Sequence, residues 1–301
     1  MDTHPILSII TVNYNNNEGL QQTLSSLKAQ TFHNYEHIII DAASTDGSVD
    51  TIRQYASETS ALAYWVSKKD KGIYDGMNKG IRQAKGDYLY FLNSGDCLYG
   101  DVLKEIDFDG TKYIYGDMLL DQGKKGQMKR IAPDVPDMFF FVSDSLSHQA
   151  CFIHRSLFQN CEYDVRYKIV ADWAHSFQSI ALDGCTFKHI HRWIAVCDGT
   201  GVSSIYADVQ NERTRWLEEH LSQPMLISLA DVVQYRLSGF HKVIPRLVQT
   251  RRFKRLVRYL NVGLFKIHAF FSFYAFEYPG QSVHDVLANP LGRKRLKRNK
   301  K

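Results

Sequence analysis

The sequence predicts an α/β fold built on a doubly wound, mainly parallel sheet, followed by a helical, basic C-terminal extension. Three observations carry this. Through the first hundred residues, short apolar runs alternate with amphipathic stretches at the spacing of βα units. Asp, Asn and Ser gather behind each run, where an open parallel sheet places its ligand sites. Past residue 240 the composition turns strongly basic.

Residues 6–12 (ILSIITV) read as a buried strand and 13–17 as a loop that offers an asparagine helix cap. Leu20, Leu24 and Leu27 then fall on one helical face. Residues 37–40 form a second strand, 41–48 a polar loop, and Val49, Ile52 and Tyr55 mark a short helix. Residues 63–66 are a third strand, and Tyr74, Met77, Ile81 and Ala84 line the next helix. Residues 88–92 are a fourth strand, ending at Asn93-Ser94-Gly95-Asp96. Beyond residue 100 the pattern loosens. Strands are expected at 112–115, 149–153 and 187–196 and a helix at 170–182, with a glycine-containing loop at 198–203 and helical patterns over 207–222 and 225–260.

The 301 residues are 44% hydrophobic and 23% charged, which excludes disordered, collagenous and multi-span membrane classes. Five scattered cysteines without a C-x-x-C pair suggest neither a disulfide framework nor a structural zinc site, and are read as small core residues. His189-x-His191 places two imidazoles on one strand face, but no third ligand is apparent, so a structural pair is expected. The N-terminus has neither a basic start nor a long apolar run, so a cytoplasmic location is expected. Neither G-x-G-x-x-G nor G-x-x-x-x-G-K-[ST] occurs, which argues against a dinucleotide or P-loop site.

The net charge of +5 hides an asymmetry. Residues 241–301 hold 15 basic and two acidic residues, a net of +13, which leaves −8 for residues 1–240. Such a tail suits a polyanionic partner, an anionic membrane surface or nucleic acid. Arg251, Arg252, Lys254, Arg255 and Arg258 are interleaved with Phe253, Leu256, Val257, Tyr259 and Leu260, and residues 267–276 are uncharged and rich in aromatics. That run is shorter than the ~20 residues needed to span a bilayer. It suits an interfacial helix on the inner face of the cell membrane, the alternative being a basic face that packs its aromatics on the rest of the protein.

The stretches SIITVNYN, IIIDAASTDGS, DKGIYDGMNKGI and AKGDYLYFLNSGD, in this order, resemble the nucleotide-sugar-binding half of the inverting GT-A glycosyltransferases of glycosyltransferase family 2. The likeness continues more loosely through SHQACFIHRSLF, IVADW and DGTGVS to about residue 220. It implies a GT-A-like catalytic domain over 1–220, with a donor half at 1–100 and an acceptor half at 101–220, and leaves 221–301 as the basic extension. It implies a nucleoside diphosphate sugar as donor and a lipid-linked or polysaccharide acceptor in surface-glycan assembly.

The resemblance also assigns residues. Tyr14 matches the position that stacks on the base, and Asp41 the one that accepts the base imino N–H. A carboxylate there suits uracil, thymine or guanine but not cytosine, and uracil is favoured. Thr11, Ser44, Asp70 and Asn78 are assigned to the donor site, while Asp75 is also explained as a helix cap. The family's Asp-x-Asp appears here as Asn93-Ser94-Gly95-Asp96, so Asp96 alone remains to hold Mg²⁺ or Mn²⁺ at the diphosphate, with Asn93 near the ribose. Asp172, before Trp173, matches the general base of an inverting transfer, although position 171 is Ala instead of a second acid; an N-terminal helix carboxylate is the structural alternative. His148, Gln149 and residues 199–203 are expected on the acceptor side or over the diphosphate. The departure from Asp-x-Asp keeps a second function class open, an inactive nucleotide-sugar fold whose basic tail binds nucleic acid; nucleic acid is otherwise not an expected partner.

Overall fold

In the computed structural model, β1 (Leu7–Asn13) is buried at every position, as a strand covered on both faces must be. It lies between β2 (Tyr35–Asp41) and β4 (Tyr88–Phe91), parallel to both, and β2 carries β3 (Leu62–Ser67) on its outer side. The structure describes residues 4–123, 126–159, 161–198 and 206–237. The loop 199–203 and the basic segment 241–301 singled out in the sequence lie outside them.

Helices α1 (Asn17–Lys28), α2 (Ser48–Glu58) and α3 (Ile73–Gln83) make the crossovers between these strands. Asn16 caps α1 by accepting from the Gly19 amide at 3.1 Å. Leu20 and Leu24 pack with Ile39, Ile52 and Tyr55, and Leu27 joins Leu7, Ile9, Tyr88 and Tyr90, so α1 and α2 cover one face. The other face takes α3, and the fit is close. A Cβ at Gly80 would come within 2.4 Å of the Ile10 side chain, so only glycine lets α3 approach β1 this nearly.

Among the described residues nine strands form one sheet in the order β3-β2-β1-β4-β8-β6-β9-β5, with β7 on β6. Here β5 is Cys97–Leu98, β6 Tyr113–Asp121, β7 Gln127–Arg130, β8 Cys151–His154 and β9 Phe187–Asp198. The expected parallel arrangement holds without interruption across β3-β2-β1-β4. Past β4 the sheet is mixed, because β8 runs antiparallel between β4 and β6, β9 parallel to β6, and β5 and β7 antiparallel to their partners. The physical cause is the connection: β8 is entered through a 3₁₀ turn at His148–Ala150 instead of a helical crossover. The helix expected over 170–182 is α5 (Ala171–Ser176), continued by π turns at Phe177–Leu182. The short β5 and β7 have no periodic signal in the sequence.

The chain divides into two units, Met1–Asp137 with Asp144–Val209, and Met138–Ser143 with Gln210–Lys301. The first holds the sheet. In the second, α4 (Met138–Ser143), most of α6 (Tyr206–His220) and α7 (Gln223–Leu237) bury Phe141, Trp216, Leu217, Leu226 and Val233. No helix among the described residues is long and apolar enough to cross a membrane. The cysteines are only partly core: Cys151 and Cys197 are buried, Cys97 and Cys185 half-buried, and Cys161 exposed, which corrects the reading of all five as core residues.

Candidate active site at the strand ends

The carboxyl ends of β1, β2 and β4 converge on one rim, as parallel alignment requires. At the end of β2, Asp41 is fully buried, and its carboxylate accepts from Asn13 Nδ2 (2.8 Å), Ser44 Oγ (2.6 Å), the Ser44 amide (2.9 Å) and Ser67 Oγ (2.5 Å). Burial alone would raise its pKa, but these hydrogen bonds outweigh it and hold Asp41 below the usual carboxylate range. All four lone-pair positions are thereby filled. Ser44 also accepts from the Asn15 amide at 2.8 Å. The two loops turn through positive φ at Asn15 (45°) and Ala43 (63°), conformations that non-glycine residues adopt at a cost. Tyr14 stands at the rim with 66% of its surface exposed.

At the end of β4, Gly95 takes φ 99°, which turns the chain back so that Asp96 is buried beside Gln149, whose Nε2 donates to Asp96 Oδ2 at 3.2 Å. Asn93 Nδ2 reaches His148 Nε2 at 3.1 Å. His148 Nδ1 lies 2.8 Å from Asp172 Oδ2, and Tyr74 Oη donates to Asp172 Oδ1 at 2.7 Å, with the Ile169 carbonyl also within reach at 2.8 Å. Asp172 Oδ1 also accepts from the Trp173 amide. The result is a polar string, Asn93–His148–Asp172–Tyr74, beside the Asp96–Gln149 pair, at the seam where β8 joins β4.

The string is electrostatically polarised. Burial opposes charge on His148, yet the hydrogen bond and charge of Asp172, with the charge of Asp96, hold it above the ordinary imidazole value. Burial likewise opposes charge on Asp172, yet His148, Tyr74 and the Trp173 amide hold it below the ordinary carboxylate value. The pair is thus built to carry a proton on the imidazole and a negative charge on the carboxylate. Two buried amide oxygens at the strand ends, Asn13 Oδ1 and Asn93 Oδ1, have no hydrogen-bond partner and are available acceptors.

Asn13, Tyr14, Asp41 and Ser44 gather around the ends of β1 and β2, and Asn93, Asp96, His148, Gln149 and Asp172 at the seam. Two assigned residues point elsewhere. Thr11 is buried on the α1–α2 side of the sheet, where its hydroxyl meets His37 Nε2 at 2.9 Å; it shares a face with Asn13 but lies two residues deeper in β1, short of the strand end. Asn78 spends its amide on the backbone of Tyr163, donating to the carbonyl at 2.8 Å and accepting from the N–H at 3.0 Å, which pins the segment before α5 to α3. Asp70 Oδ1 accepts from the Gly72 amide at 3.0 Å, and Asp75 holds the Lys71 amide and pairs with Lys79. Tyr74 was readable only as a core residue of α3; no sequence signal marks its hydroxyl as a partner for a residue 98 positions away.

A family model described as glycosyl transferase family 2 matches residues 8–155. An uncharacterized glycosyltransferase of Mycobacterium tuberculosis is 31% identical over 212 residues, 68% of this chain and 79% of the relative. A PGL/p-HBAD biosynthesis glycosyltransferase of Mycobacterium bovis is 27% identical over 198 residues, 64% of this chain and 76% of the relative. Among solved structures, S. aureus TarS 1-349 in complex with UDP-GlcNAc aligns with a TM-score of 0.56 at 17% identity, covering 73% of this chain and 68% of that one, a likeness of fold.

Proposed function

The chain belongs to glycosyl transferase family 2, and on that premise we propose that it transfers a sugar from a UDP-sugar, with inversion, to a lipid-linked or polysaccharide acceptor in surface-glycan assembly. The observation that carries the reading is the Asn93–His148–Asp172–Tyr74 string set beside Asp96. The relative named for PGL/p-HBAD biosynthesis supports the acceptor class, and the fold neighbour holding UDP-GlcNAc supports the donor class.

Tyr14 offers an exposed ring for the uracil, and Asp41 its carboxylate for the imino N–H, once the Ser44 or Ser67 hydroxyl rotates away. Asn13 Oδ1 and Asn93 Oδ1 suit ribose hydroxyls, and Asp70 remains a donor-site candidate. Asp96 fits a divalent ion as one hard oxygen ligand, with diphosphate and water to complete the shell, since no group of three His, Cys, Asp or Glu ligand atoms gathers there among the described residues. When bound, Mg²⁺ or Mn²⁺ neutralises charge on the leaving diphosphate.

Asp172 acts as general base together with His148. The Asp172 carboxylate is enclosed by His148, Tyr74 and the Trp173 amide, so the proton is taken at His148 Nε2, which exchanges Asn93 for the acceptor hydroxyl. The acceptor oxygen bonds to the anomeric carbon, the bond from that carbon to the diphosphate oxygen breaks, and UDP leaves. The catalytic domain is assigned to residues 1–220. Residues 221–301, through the basic part 241–301, would hold it on the cytoplasmic face of the membrane against anionic lipid.

Turnover of UDP-sugars, with and without Mn²⁺, tests the reading in wild type, Asp172→Asn and His148→Gln. Loss of roughly 10²–10⁴-fold in kcat in both variants with donor affinity retained is expected. Near-normal turnover of His148→Gln alone would return the base role to Asp172 by itself. Sedimentation with anionic vesicles, lost on removal of residues 241–301, tests the membrane assignment.

A further inference from the structure

His189 sits in an arrangement that a neutral histidine cannot satisfy. Its side chain is 3% exposed, with Nε2 3.0 Å from Asp117 Oδ1 and Nδ1 2.8 Å from Asp134 Oδ1. A neutral imidazole has one N–H, so it can serve only one of two facing carboxylates. Asp117 is the fixed partner: it lies on β6, and its Oδ1 also accepts from the Ala132 amide at 2.9 Å. With the proton on Nε2, the Nδ1 lone pair faces a carboxylate oxygen, and only a second positive centre makes that contact favourable. His191 Nε2 lies 3.4 Å from the same Asp134 oxygen, and the three ligand atoms are all within 4.8 Å of one another.

The backbone is shaped around this cluster. Between the pairs Tyr115–His189 and Asp117–Trp193, β6 advances two residues and β9 four, so β9 bulges at the histidines. Tyr115 stacks on His189 at 5.3 Å, and its one hydroxyl proton is shared between the carbonyls of Pro133 (2.9 Å) and Asp134 (3.1 Å), which holds the segment bearing Asp134 against the strand.

We propose that His189 Nδ1, His191 Nε2 and the Asp134 carboxylate bind a borderline divalent transition metal of the Zn²⁺ class, with Asp117 as the positioning residue that fixes the tautomer of His189. Two imidazoles and one carboxylate, with water in a fourth position, match the ligand preference of Zn²⁺ and not the all-oxygen preference of Mg²⁺. A buried carboxylate on the far nitrogen of a ligating histidine is the usual support for such an ion. His191 and Asp134 are 71% and 73% exposed, which gives the ion entry. Bound there, it fastens the segment after β7 to β9. The site shares no ligand with the one assigned to Asp96.

The test uses the full chain, stripped with chelator and titrated with Zn²⁺ against a competing indicator, and with Co²⁺ read by visible absorption. One Zn²⁺ per chain at micromolar or tighter affinity, a tetrahedral Co²⁺ spectrum, and no displacement by millimolar Mg²⁺ are expected. His191→Ala and Asp134→Ala each should weaken Zn²⁺ by 10-fold or more, and Asp117→Asn by roughly 10–100-fold. Both ligand side chains are exposed, so the metal-free melting curves should match wild type. No saturable Zn²⁺ binding, or binding undiminished in the His191→Ala/Asp134→Ala double variant, overturns the proposal. So does a His189 ring found doubly protonated at neutral pH in the presence of Zn²⁺, since a proton would then be the second positive centre.

Discussion

The two halves of the sheet use polar residues in different ways. In the parallel half, Asn13, Ser44 and Ser67 all donate to Asp41, so the ends of β1 and β2 form a hydrogen-bonded rim that leaves Asn13 Oδ1 as an open acceptor. In the mixed half, His148 and Asp172 come from segments 24 residues apart and form a polarised pair that Tyr74 of α3 completes. A rim suits recognition, because its groups are preorganised, whereas a polarised pair suits proton transfer. The seam between β4 and β8 is where the two meet: Asn93 reaches His148, and the neighbouring Ser94 amide donates to the Val12 carbonyl of β1.

The comparison breaks first at Asp96. Asp96→Ala should lower turnover by about 10³-fold or more, the scale of losing charge stabilisation on a leaving group, with the melting curve retained. Near-normal turnover would move the metal assignment elsewhere. Next is the pH profile of the pair. His148 must be neutral to accept a proton and is held above the ordinary imidazole value of ~6.5, so the acidic limb of kcat/KM should lie above that pH. The residual activity of Asp172→Asn should show a limb shifted to lower pH, since the carboxylate that favours the imidazolium is gone. An unmoved limb would separate the pair.

Asn78→Ala sharpens the contrast from the other side. It leaves a buried carbonyl and N–H of Tyr163 without partners and should cost about 2–3 kcal/mol of stability while donor affinity changes little. A selective loss of donor binding would restore Asn78 to the donor site. Tyr74→Phe removes one hydrogen bond to Asp172 and should lower kcat by about 10-fold, leaving KM for the donor near wild type.

The smallest effect is on acid stability. Burial lowers His37 to about 3 and His175 to about 4, so both are folded in the neutral form. Their folded values lie below the unfolded value of ~6.5; the stability this represents is complete above that pH and is lost as pH falls toward the folded values. The melting temperature should therefore drop by several degrees between pH 7 and 5. A flat profile would mean that these rings are protonated in the folded state.

Much of this protein was determined by the sequence alone. β1 to β4 and α1 to α3 follow from local pattern, because short continuous apolar runs and period-3.6 amphipathic stretches are written in neighbouring residues. The strand-end location of Tyr14, Asp41, Asn93 and Asp96 follows from that order, since parallel strands bring their carboxyl ends to one rim. The sequence could not decide what each side chain there touches. Thr11 lies two residues short of the end of β1 and is spent on His37, and Asn78 is claimed by a backbone 85 positions away. The mixed half, the His148–Asp172–Tyr74 contacts and the meeting of Asp134 with His189 and His191 rest on long-range pairings of β8, β6 and β9. Such pairings depend on which edges and faces remain unfilled after the local elements pack, and no window of neighbouring residues carries that information.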